Sequence, residues 1–192
     1  MQEAQDTAGT QSESRSWLGT AALAVVAIAG IVAGVIIFTS DRGAPDAPPT
    51  RPNNNAPALT DQGAIDRYLK LEELVVRAYR NADFSLLSLI YTSNSPTAKV
   101  VREEFTNLRQ DSARLLLTYQ TEAIEVVSQS PDEFVLRQEV IIRGRLKAVG
   151  GAKVSARYHD QRQVVRAILR YEEPNGWLIH NVVAIDSERL QE

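Results

Sequence analysis

The sequence predicts an α+β domain carried behind a membrane-spanning segment, and three observations lead there. Trp17 to Phe38 runs for twenty-two residues without a charge. Downstream, apolar residues first recur at the helical period, then at a period of two beyond Arg114. The helical patterns all precede the strand patterns, an order that favours α+β over alternating α/β.

The charge-free run, WLGTAALAVVAIAGIVAGVIIF, is about 33 Å long at about 1.5 Å per residue, enough to cross a bilayer core of about 30 Å. A cleaved leader would carry a basic start and a shorter apolar stretch, whereas Arg15 is the one basic side chain ahead of this run. The expectation is an uncleaved anchor, with residues 1–16 as a disordered cytoplasmic tail and the following domain extracytoplasmic. Gly30 and Gly34 put small residues on one helix face, where a second membrane helix can approach. Residues 39–60 hold five of the eight prolines and read as an extended stalk. Residues 61–192 then form one domain, with length enough for a real core.

Thr60 or Asp61 caps a helix to about Arg80, with Tyr68, Leu71, Val75 and Tyr79 on its apolar face. A short helix follows Asp83. Ser95 and Pro96 open a third, in which Ala98, Val101, Phe105 and Leu108 share a face. Strand spacing starts at Leu115, and its phase slips near Glu122 to Ile124, as a bulge makes it do. Phe134 to Lys147 is the clearest strand: Phe134, Leu136, Val140 and Ile142 point inward, and Arg137, Glu139, Arg143, Arg145 and Lys147 outward. A third strand covers about Gln163 to Glu172. Pro174, Asn175 and Gly176 turn into a fourth, whose inward face is expected to be Trp177, Ile179, Val183 and Ile185.

Net charge is −3, but residues 137–170 carry 9 basic and 2 acidic side chains. With Val165, Ala167, Leu169 and Tyr171 inward, Arg166 and Arg170 join Arg137, Arg143, Arg145 and Lys147 on the outer face. Six cations on one face make a candidate contact surface for an acidic partner. Ile141, Val164 and Ile168 interrupt them with apolar groups, which suits a protein partner, and the acidic chain as a whole argues against nucleic acid. With no cysteine there is neither disulfide nor thiolate metal site, and no phosphate loop, nucleophile elbow or metal-ligand spacing occurs. No cofactor is implied.

LEELVVRAYRNAD in the first helix, LLSLIYTSNSP after it and the closing hairpin PNGWLIHNVVAID together resemble the nuclear transport factor 2-like (SnoaL-like) fold over roughly residues 61–188. Span, stalk and such a domain are similar to single-pass envelope proteins of actinobacteria, including Mce-associated and conjugation or type IV secretion components. The resemblance implies three helices packed on a bent antiparallel sheet of about four strands, with a cone-shaped pocket between them. In enzymatic members of that fold a carboxylate or histidine in the pocket acts as base. Tyr119, Gln138, Tyr171 and Asn181 are the polar side chains expected to face such a pocket, with no inward carboxylate among them. His180 is expected on the outer face, and His159 and adjacent Asp160 point opposite ways on an extended segment.

The leading expectation is therefore a non-enzymatic interaction or assembly module of a membrane complex, joining other envelope proteins or itself through the outer face. The alternative is a small-ligand-binding or enzymatic domain using the pocket. A deep cavity favours the alternative, and a filled core the module.

Overall fold

The structure, a computed structural model, describes residues 56–150 and 160–190. The charge-free run with Gly30 and Gly34, the tail, the stalk as far as residue 55, and His159 lie outside the described residues. Among the described residues no helix is long and apolar enough to cross a membrane.

Helix α1 spans Asp61–Asn81, and the Thr60 hydroxyl accepts the Gly63 amide at 3.1 Å as its cap. The helix ends where Ala82 turns left-handed at φ 47°, its amide reaching the Ala78 and Tyr79 carbonyls. Asp83 caps a single 3-10 turn, Phe84–Leu86, that runs into the short α2, Leu87–Ile90. Helix α3, Pro96–Gln110, is capped as its sequence predicts: the buried Ser95 hydroxyl accepts the Ala98 amide at 3.0 Å. Near the end of α3, Arg109 donates to the Ala82 carbonyl at 3.0 Å and lies 4.4 Å above the Phe84 ring, tying the helices together.

Strands β1 (Ala113–Ser130), β2 (Glu133–Ala148), β3 (Gln161–Glu172) and β4 (Gly176–Arg189) pair antiparallel in chain order. The β3–β4 turn contains a cis Glu173–Pro174 bond, and Gly176 sits at φ +84°, a conformation open to a residue without Cβ. The outer edge of β4 is met by the chain after α2, where Tyr91 bridges Ile179 and the Thr92 amide donates to the Ile179 carbonyl at 3.0 Å.

Four bulges bend this sheet. In β1 the register steps over Glu122 and again over Val127, the first at the phase slip that the sequence predicts. In β4 it steps over His180 and over Ile185. Each extra residue turns the remainder of its strand to the other face. That corrects one expectation: Val182 and Ala184, opposite inward Ala167 and Val165, continue the inner face from Trp177 and Ile179, and Ile185 is exposed. The core fills the space between the bent sheet and the helices. At its centre the Phe105 ring meets Tyr79 and Phe84 edge-on, at 4.9 and 5.5 Å.

Candidate ligand pocket

Helix α1 presents Tyr68, Glu72, Val75 and Tyr79 along one face, and α3 presents Val101 and Glu104 toward the same space. The inner face of the sheet closes it with Gln138, Val140, Ile142 and Val165. The core is not filled here: a cavity of about 300 Å³ lies between them. Its wall is largely apolar, with polar groups at a few fixed points.

One of those points is a buried network. Gln138, with no solvent exposure, donates through Nε2 to Glu72 Oε2 at 3.0 Å and to the Thr121 hydroxyl at 2.9 Å. Its Oε1 accepts from the Tyr68 hydroxyl at 3.2 Å. Burial pushes the Glu72 carboxyl up to about 7, against the downward pull of its hydrogen bonds to Gln138 and Tyr68. The second point is Glu104, which accepts a hydrogen bond from the Tyr79 hydroxyl. Burial pushes this carboxyl up to about 7 as well. Both groups are therefore poised to gain or lose a proton near neutrality.

These carboxyls overturn the expectation of a pocket without one. They come from the helices rather than the sheet, and their signal in the sequence is position. Glu72 falls four residues after Tyr68 and three before Val75, and Glu104 falls three after Val101 and four before Leu108, both inside an apolar stripe.

Tyr119, Gln138 and Asn181 line the cavity, whereas Tyr171 does not: it packs edge-on against Trp177 at 5.8 Å, nearer the β3–β4 turn. Asn181 accepts from the Thr97 hydroxyl at 3.0 Å, and that hydroxyl accepts the Val182 amide at 2.9 Å, pinning the start of α3 to β4. Among the described residues no group of three or more His, Asp and Glu converges as metal ligands do.

On the outer face, Arg137 stands 2.9 Å from Glu139 and 3.5 Å from Glu125, Arg143 3.0 Å from Asp160, and Arg170 2.7 Å from Glu133. Arg162 makes two contacts to Glu122, at 2.8 and 2.9 Å. Arg166 stands opposite Arg137 in register, and Arg145 and Lys147 lie exposed toward the end of β2. His180 occupies its bulge between the Thr92 hydroxyl at 2.9 Å and Arg170 at 3.0 Å. Burial and the Arg170 charge hold it below the usual histidine range, so it is neutral at pH 7.

No protein-family model matches this chain, and no curated protein matches it. Solved structures do. The intermembrane space region of the chloroplast protein ARC6 aligns with a TM-score of 0.52 at 12% identity, covering 71% of this chain and 100% of that one. At that identity the likeness shows a shared fold. Weaker alignments reach the hexachlorocyclohexane dehydrochlorinase LinA (TM-score 0.43, 12% identity, 68% and 92% coverage). They also reach a Caulobacter vibrioides protein with a cystatin-like fold (TM-score 0.40, 12% identity, 64% and 90% coverage). The described chain is thus an α+β domain of three helices on a four-stranded antiparallel meander with a cavity inside.

Proposed function

We propose that this domain, nuclear transport factor 2-like in kind, binds a small, largely apolar molecule in the cavity between α1, α3 and the inner sheet face. The observation that carries the reading is the cavity itself. Its volume of about 300 Å³ is at the lower end of the usual range for ligand sites. Its wall is largely apolar with a few polar groups at fixed points, the composition of a small-molecule site.

The reading includes a membrane location, with Trp17 to Phe38 as a single-pass anchor, the tail cytoplasmic, and the domain held outside on the stalk. Assembly through the outer face is the lesser reading, because Arg137, Arg143 and Arg170 already have carboxylate partners within the domain. An enzymatic variant of the ligand reading has one observation in its favour. Glu72, oriented by Gln138 and titrating near neutrality, has the protonation behaviour of a general base.

Methyl-labelled full-length protein in lipid nanodiscs tests the reading by NMR against a panel of small aromatic and aliphatic compounds. Binding shifts the methyls of Val101, Val140 and Ile142 and spares those of outward Val127 and Ile185. Val100→Trp, which fills the cavity from its wall, abolishes those shifts. If no compound moves the inner methyls before the outer ones, the cavity is not a binding site.

A further inference from the structure

Resting on the ligand reading above, we propose that the natural occupant of the cavity is an organic cation, an amine or quaternary ammonium with an apolar body. Four tyrosines, Tyr68, Tyr79, Tyr91 and Tyr119, line the same space as Glu72 and Glu104. Among the described residues no Lys, Arg or His lines it. Two carboxyls are thus held in an apolar chamber without a countercharge, an arrangement that disfavours their ionised forms.

A cationic ligand supplies the missing charge. It pairs with the carboxylates, and the electron-rich faces of tyrosine rings attract the same ligand. Tyr79 is fixed by its hydrogen bond to Glu104 and Tyr68 by its bond to Gln138, so part of the cage is organised before binding. The remaining wall, Val75, Val101, Val140 and Ile142 among it, receives the apolar body. Among the described residues an anionic ligand meets two acids and no base.

Charge compensation makes binding depend on pH. The groups facing the carboxyls are Tyr68 and Gln138 at Glu72, Tyr79 at Glu104, Tyr91 near both, and Tyr119 on the sheet wall of the same cavity. Burial, with the neighbouring carboxyls adding to it, raises Tyr68, Tyr79 and Tyr91, so these three stay neutral below pH 9. The sheet contributes no charged side chain to the wall among the described residues. The two carboxyls therefore set the profile. A cation binds their deprotonated forms, releases protons on binding, and gains affinity as pH rises through about 7. A neutral hydrogen-bond acceptor, which needs a protonated carboxyl as donor, gains affinity as pH falls.

The test compares phenyltrimethylammonium with its uncharged isostere tert-butylbenzene and with the neutral acceptor acetophenone, on full-length protein in nanodiscs, reading the Val101 and Val140 methyls. The expected result is at least tenfold tighter binding of the cation than of the isostere at pH 8. That advantage falls more than tenfold at pH 5.5. Glu72→Gln and Glu104→Gln each weaken the cation about tenfold and leave the isostere unchanged. Equal affinity of cation and isostere, or cation binding indifferent to both substitutions, overturns the proposal while the ligand reading stands. So does acetophenone binding most tightly and strengthening as pH falls. If none of the three moves the inner methyls, and the wider panel also fails, both readings fall together.

Discussion

On the outer face of the sheet, Glu122, Glu125, Glu133 and Glu139 each stand within ion-pair distance of an arginine. Facing the inner side, Glu72 and Glu104 are met by tyrosine hydroxyls and a glutamine amide instead. The exposed carboxylates sit in high dielectric, where pairing contributes little and its loss is tolerated. The inner carboxyls sit where an uncompensated charge is expensive, yet the fold gives them neutral partners. Charge that the chain balances for itself is part of the scaffold, and the two carboxyls given neutral partners mark the candidate site.

Four substitutions sharpen or break that contrast. The largest effect belongs to the core on the inner side: Phe105→Ala, which removes a fully buried ring from between Tyr79 and Phe84, lowers stability by about 3–5 kcal/mol in urea unfolding. A loss below about 1 kcal/mol would mean that the core around the cavity is not packed as described.

Next comes the cost of the inner charge. In the folded state Glu104 keeps its proton up to about pH 7, and in the unfolded chain it releases it near the ordinary value of 4.5. Between those values the folded protein binds more protons. Stability from this group is therefore complete below about pH 4.5 and is lost as pH rises through 7; Glu72 adds the same sign. His180, held below its ordinary value of 6.5, contributes with the opposite sign as pH falls below that value, so the informative quantity is the difference between variant and wild type. Glu104→Gln raises stability by about 2–3 kcal/mol at pH 8 and by little at pH 5. Equal unfolding midpoints at pH 8 would show that the carboxyl is not burdened by burial.

Ser95→Ala removes the cap of the helix that carries Glu104, at a cost of about 1 kcal/mol by thermal unfolding. Arg137→Ala on the outer face changes stability by less than about 1 kcal/mol, with no difference between pH 6 and 8. An Arg137 effect as large as that of Glu104→Gln would erase the contrast between the two faces.

Much of the fold is legible in local sequence. Ser95-Pro96 marks the start of α3 to the residue, because capping involves groups only three positions apart. The alternation in Phe134 to Lys147 gives both faces of β2, because a pleated strand has a fixed period. The inward face of β4 departs from simple alternation beyond Ile179, since each bulge depends on how β3 pairs with it rather than on β4 alone. Of the polar residues expected in the pocket, Tyr119, Gln138 and Asn181 line it and Tyr171 does not. Glu72 and Glu104 escape a reading of the sequence because a glutamate inside an apolar helix stripe has the same local pattern whether it ends at solvent or against a cavity.

The order of helices and strands, their caps and most of their inward faces are thus properties of the sequence by itself, because periodicity and capping act over a few residues. The cavity, the proximity of Glu72 to Gln138 across sixty-six positions, and the lack of a cation beside two buried carboxyls among the described residues belong to the tertiary structure. They arise where α1, α3 and a bent sheet meet, and only that meeting removes the carboxyls from water and makes their missing countercharge matter.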